Sequence, residues 1–469
     1  MKKVSLKAVV AMLISTTIIS SIICGCGNTE SSKGAPDSTE LTEGTAKVPT
    51  ENEKIGDDEV IELHVLTNWT STSLLTEPMN QLIEEWNATG KYKITYEGLP
   101  SSDARTKISV SMAAGNPPDV CWCTYSYALE YAKQGLLMDW REVYENPEYK
   151  EFKQYFSEKV LNSPVDTEGN IILCPHEAAI DGLFCNMEVF NKYGWELPET
   201  WEDLIEIAKK CKEEGIAALV TGGADLRFSW LGSILMGRCC GVENSLELAS
   251  GDAMTSWDDP QYGFVEAMTK FQELVDAGGF ADGVLGISMS EADQMFARGE
   301  AAMYYEGAWK CADFAKVGGE EFIEHVQRID FPTMSNQANG SNTMHTGGIG
   351  SGFFIPSNLS EEKKKAAIEF VLAFNNPDFN IPVMEQGGFI WAGNAEYDKS
   401  RVSDLMNSMI EAYRNSDSFL VSTDSFTVPE VDLAIKQTAM PGIVSGEMTV
   451  DEAVKAVNDA AKQYIDKNK

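Results

Sequence analysis

The side chains best able to hold a metal or move a proton at neutral pH are four histidines, His64, His176, His325 and His345. No two of them stand at the spacing of a metal-binding helix, so ordinary structural roles are expected for most. The glycine-rich stretch Gly347-Gly348-Ile349-Gly350-Ser351-Gly352 could cradle a phosphate. It lacks the following Lys-Ser/Thr of a P-loop, and its glycines fall out of register with the dinucleotide pattern and with Gly-x-Ser-x-Gly. It reads instead as close backbone packing at a crossing strand, or as a place where a ligand approaches the main chain. Glycoside hydrolysis needs only two carboxylates, roughly 5–10 Å apart and at no fixed sequence spacing. With 72 Asp and Glu in the chain, such a pair arises by chance and carries no signal.

Cys24 and Cys26 stand where an apolar run turns polar. Lys2, Lys3 and Lys7 precede an uncharged, mostly apolar run over residues 8–23, the order of a secretory signal and too short and interrupted for a spanning helix. Ile23-Cys24-Gly25-Cys26 resembles the lipobox of bacterial lipoproteins, which makes Cys26 the expected lipidated N-terminus after removal of residues 1–25. A Cys-x-Cys metal pair is the alternative, but no histidine or further cysteine lies near enough to complete a tetrad. Residues 26–58 are rich in Ser, Thr, Glu and Gly and read as a disordered tether with a reach of roughly 30 Å.

The rest of the chain is long enough for two large lobes, and 43% hydrophobic residues can fill them. A formal net charge of −35 argues against nucleic acid or an anionic membrane surface as a partner. Ten cysteines in an exported chain would suggest disulfides, yet Cys121, Cys123, Cys174 and Cys185 sit in apolar, strand-like segments. Cys211 lies on the apolar side of a helix, so buried thiols are favoured, with Cys239-Cys240 least explained and pairing left open.

Elements follow from the pattern. "EVIELHVLTNW" alternates as a first strand ending at Asn68-Trp69; a helix with Met79, Leu82, Ile83 and Trp86 inward follows; then come a second strand in "KYKITYEGL", a helix stopped at Gly115-Asn116-Pro117-Pro118, and a short strand over residues 119–123. That rhythm is an α/β lobe with a mainly parallel sheet. Thr200 caps a later helix with Asp203 and a stripe of Leu204, Ile207, Ala208 and Cys211; Ser360 and Thr449-x-x-Glu452 begin two more.

Four stretches, in order, resemble the extracellular solute-binding proteins of carbohydrate ABC transporters, the family that includes maltose-binding protein. They are "AAGNPPDV" with "YAKQGLLMDW", "GNIILCPHEAAIDGLFCNMEVFNKYGWELPETWEDLIEIAKKCKEEGI", "FARGEAAMYYEGAW" and "GEMTVDEAVKAVNDAAKQY". The resemblance implies a two-lobe, periplasmic-binding-protein-like α/β fold (type II, Venus-flytrap) that closes about a hinge on a sugar. By analogy the N-terminal lobe holds residues 59–177 and 348–400, and the C-terminal lobe 178–347 and 401–469, with crossings at "HEAAID" and "HTGGIG". It further implies a monomer without cofactor or catalysis, lipid-anchored on the outer face of a Gram-positive cell membrane, which hands its carbohydrate to permease subunits.

A sugar site needs flat aromatics for C–H faces and acids or amides for hydroxyls. The family motif places a stacking tryptophan at Trp309. Trp69 and Asn68 end the first strand, where ligands bind in open parallel sheets; Trp122, Tyr125 and Tyr127 follow the third strand, and alternation keeps all three from sharing one face. Glu177 and Asp181 lie on the presumed hinge, and Trp230, Gly348 and Trp391 complete the candidates. Trp201 is expected to pack. A surface glycoside hydrolase or lyase is the rival of a different class, and a peptide or polyamine binder the rival within binding proteins. A metal ligand lacks clustered His and acids, and an anionic ligand would want arginines, which the presumed contacts do not contain.

Overall fold

The computed structural model describes residues 60–469 except 72, 162, 167–168, 252, 336–338, 388, 417 and 469. The expected signal peptide, the lipidation site Cys26 and the tether lie outside the described residues. Among the described residues ten strands form one sheet: β1 (Ile61–Thr67), β2 (Tyr92–Gly98), β3 (Val120–Thr124), β4 (Cys174–Asn186), β5 (Ala217–Val220), β6 (Ala301–Gly307), β7 (Val326–Ile329), β8 (Met344–Phe354), β9 (Ile390–Trp391) and β10 (Ser418–Leu420). The main path runs β2-β1-β3-β8-β4-β6-β5. β1 pairs in parallel with β2 and β3, as the strand-helix-strand rhythm requires. The expectation of a mainly parallel sheet fails beyond β3, because β8 returns from far along the chain and inserts antiparallel between β3 and β4.

β4 and β8 are the two long strands, and both change partners midway. β4 pairs with β8 up to Ile180 and with β6 from Asp181 onward. β8 pairs with β10 over residues 344–346, then with β4 from Gly347 and with β3 from Ser351. Gly347 (φ 152°) and Gly348 (φ 109°) sit at that junction. A Cβ on Gly347 would fall 2.2 Å from the Ala179 carbonyl oxygen, so only glycine lets the strands approach there.

Helices form where local signals are strongest. Trp201–Glu214 begins with the Thr200–Asp203 capping box, ends at Gly215 in the left-handed region and buries Leu204, Ile207, Ala208 and Cys211. Trp201 packs inside and donates its indole N–H to Glu273 at 2.8 Å. The Thr449 capping box is also formed, with the Thr449 N–H donating to Glu452 at 2.9 Å. Phe228–Cys239 is buried on every face, which marks a helix sunk in the core rather than laid on it. Eight cysteines, Cys121, Cys123, Cys174, Cys185, Cys211, Cys239, Cys240 and Cys311, are buried free thiols; burial pushes the thiols of Cys174, Cys211, Cys239 and Cys311 up to about 12.

Candidate functional site

The carboxyl-terminal ends of β1 and β3, the middles of β4 and β8, and the C-terminal helices surround a cavity of about 870 Å³. Asn68, Trp122, Glu177, Trp230 and Trp309 all line it. Trp309 follows β6 and immediately precedes the helix Lys310–Glu324. Its ring lies against Gly307, where a Cβ would meet it at 2.2 Å. Trp230 meets it edge-on, with centroids 4.8 Å apart and planes at 82°. Arg227 stands 5.6 Å from each ring and donates to the fully buried Glu306 through two nitrogens, at 2.5 and 2.7 Å. The fork fixes the guanidinium, which lies over both rings at cation–π distance.

A second aromatic surface comes from the other side of the sheet order. The Arg105 guanidinium sits 3.6 Å over the Tyr127 ring, and both line the same cavity. Trp122 donates its indole N–H to His176 at 3.3 Å. His176 is held as neutral imidazole: burial drives it down to about 3, partly offset by its contact with Asn380 at 2.9 Å.

Glu177 reaches the cavity because β4 is irregular there, with register shifts on both sides of it. Burial raises its carboxyl to about 7, against the lowering effect of the Ser351 hydroxyl that donates to it at 3.1 Å. Near neutrality it therefore serves as acceptor or donor, a property suited to hydroxyl ligands. Asp432 accepts from the Thr423 hydroxyl at 3.0 Å and pairs with Lys436, both lining the cavity. Lys436 lies on a π-helical turn, Ala434–Ala439, a distortion common at functional sites.

Other sequence candidates fall elsewhere. Trp69 does not line the cavity: it is 5% exposed and packs among Trp122, His176, Phe353 and Phe374. It shares the parity of buried Ile61, Leu63 and Val65 along the first strand, so it turns inward while Asn68 turns out. Asp181 is also enclosed, between the His345 imidazole at 2.7 Å and the Tyr305 hydroxyl, and ties β4 to β8. Trp391 is buried and donates to Asn375 at 2.8 Å. Tyr125 and Gly348 line a neighbouring cavity of about 500 Å³.

Sequence reasoning missed Arg105, Arg227, Asp432 and Lys436. The argument that no arginine lies near the cleft does not stand, since Arg105 and Arg227 both line it. Arg227 had a signal, three residues before Trp230 at the head of an apolar helix; Arg105 meets Tyr127 only through the fold. Among the described residues no group of three or more His, Cys, Asp or Glu could hold a metal ion, and no helix is long and apolar enough to cross a membrane.

Comparisons with known proteins bear on the family and the fold. The sn-glycerol-3-phosphate-binding periplasmic protein UgpB of Brucella abortus is 24% identical over 343 residues, 71% of this chain and 76% of that protein. A structure described under xylan utilization by the thermophilic bacterium Caldanaerobius polysaccharolyticus superposes with a TM-score of 0.72 at 22% identity, over 85% of this chain and 99% of that one. A chitin oligosaccharide binding protein gives 0.71 at 21%, over 86% and 98%. The fold is thus the two-lobe α/β fold of solute receptors, in a family of binding proteins rather than enzymes. With its family profile matching residues 72–378, the chain belongs to the bacterial extracellular solute-binding proteins.

Proposed function

We propose that this chain is the sugar receptor of an ABC importer, closing two lobes on an oligosaccharide in the 870 Å³ cleft. The observation that carries the reading is the tryptophan pair Trp309–Trp230, held by Arg227 over Gly307. A flat, rigid indole face with charged and amide groups nearby matches a pyranose, whose C–H face stacks while its hydroxyls bond in plane. The chitin oligosaccharide binding protein and the xylan-utilization structure, which share the fold, support the ligand class. Residues 59–177 with 348–400, and 178–347 with 401–469, form the two lobes; the partner switch of β4 at Ile180–Asp181 supports a hinge there. Lipidation of Cys26 tethers the receptor outside the membrane, and the closed form delivers its sugar to the permease.

A second reading rests on the cations Arg105, Lys133, Arg227 and Lys436 lining the cleft, four in a chain with 72 acids against 37 bases. They suit a phosphorylated polyol, the class named for the Brucella relative. Thermal shift of the purified chain separates the two. Neutral oligosaccharides should raise the Tm saturably without product, since a ligand that binds only the folded state stabilises it. A response confined to sn-glycerol-3-phosphate would replace the sugar reading, and turnover of any oligosaccharide would replace the receptor reading.

A further inference from the structure

The cavity of about 500 Å³ beside the cleft has no place in the sugar site, yet it joins it: Leu129, Lys133, Gly347, Ile349, Val421 and Thr427 line both. The connection passes the helix Tyr125–Ala132, which turns Ser126, Tyr127 and Glu130 to the cleft and Tyr125 to the side chamber. Its volume falls within the roughly 300–1,000 Å³ usual for ligand pockets. The larger part of its wall is apolar or aromatic. Tyr413 and Phe419 stack with centroids 5.6 Å apart, and Val242, Leu246 and Ala249 add a stripe from one face of the helix Gly241–Ser250.

Several polar groups of this chamber are turned to their own chain; Lys133 also lines it, and Lys159 lies 4.7 Å over the Phe419 ring while donating to the Ser416 carbonyl at 3.3 Å. The Tyr125 hydroxyl donates to the Val165 carbonyl, the Tyr413 hydroxyl to Ala392 at 3.4 Å and the Arg414 guanidinium to Ala395 at 2.7 Å. Asp166 accepts from the backbone and side-chain nitrogens of Asn170 at 2.9 and 3.0 Å. A pyranose entering here would leave its hydroxyls poorly matched, at a cost in affinity. A flat apolar group would instead gain contact with the rings.

We propose that the side chamber is an aglycone subsite, receiving an aryl group joined to the sugar held in the main cleft. The inference rests on the sugar reading above and extends it to the ligand class of aryl glycosides. It also accounts for Leu246, a large apolar side chain left 44% exposed.

Calorimetric titration of the purified full chain with matched pairs tests it: free chitobiose, xylobiose and maltose, each against its 4-methylumbelliferyl glycoside. At least one aryl glycoside should bind roughly tenfold tighter than its free sugar, as expected for burying one aromatic group. Val242→Trp, which fills the chamber, should abolish that advantage and leave free-sugar affinity unchanged. Leu246→Trp, at an exposed position, gives the same reading if the first variant fails to fold. Equal or weaker binding of every glycoside, an advantage that survives both fillings, or binding of free 4-methylumbelliferone alone overturns the subsite. Silence from all sugars and glycosides overturns the sugar reading and the subsite with it, an outcome distinct from free sugars binding without an aryl advantage.

Discussion

Trp309 can lie flat at the edge of the cleft because Gly307 offers no side chain beneath it. Removing the indole should weaken sugar binding most. For Trp309→Ala we expect a loss of about 2 kcal/mol, some thirtyfold in Kd, measured by calorimetry with the thermal midpoint nearly unchanged. Glu177 makes the second prediction. Its folded carboxyl titrates at about 7, raised by burial, while the unfolded one titrates near the ordinary value of about 4.3. The folded state therefore holds the proton longer, so stability falls as pH rises from about 4.5 through 7 and levels off above. Glu177→Gln should flatten that slope in unfolding curves taken between pH 5 and 8. The places of Trp309 and Glu177 in the cavity lining were legible, from the motif and from the presumed hinge segment, whereas the irregularity of β4 beside Glu177 leaves no sequence pattern.

Among the elements, β4 and β8 carry the construction, since each is shared by two sets of partners. Gly347→Ala would push a methyl into the Ala179 carbonyl, a rigid neighbour. We expect destabilisation by about 2 kcal/mol or more in denaturant unfolding, against a few tenths for a change on an exposed helix face. Thr200→Ala removes half of a capping box and should cost about 1 kcal/mol by the same measurement. That helix, the one after Thr449 and the parallel trio β1 to β3 were readable because caps and alternation are local. The insertion of β8 between β3 and β4 was not, because Cys174 and Phe353 pair across a gap that leaves no periodic trace. The inward turn of Trp69 was within reach: continuing the parity of Ile61, Leu63 and Val65 would have found it.

At the scale of the molecule, aromatic platforms from separate parts of the chain meet in one cavity: Trp309 after β6, Trp230 on the helix Phe228–Cys239 that follows β5, and Tyr127 under Arg105 after β3. A ligand touching both sets favours the closed arrangement by its differential contacts alone. A bound sugar should accordingly reduce the radius of gyration in small-angle scattering. The cleft's four cations, Arg105, Lys133, Arg227 and Lys436, stand in a chain of net negative charge, since net charge describes a surface and not a site. The most direct measurement is a calorimetric titration of wild type and Trp309→Ala with neutral oligosaccharides. Saturable one-site binding that the variant weakens by about an order of magnitude or more is the expected result. An absence of binding by every sugar, or equal affinity in the two proteins, would contradict the assignment of this cleft.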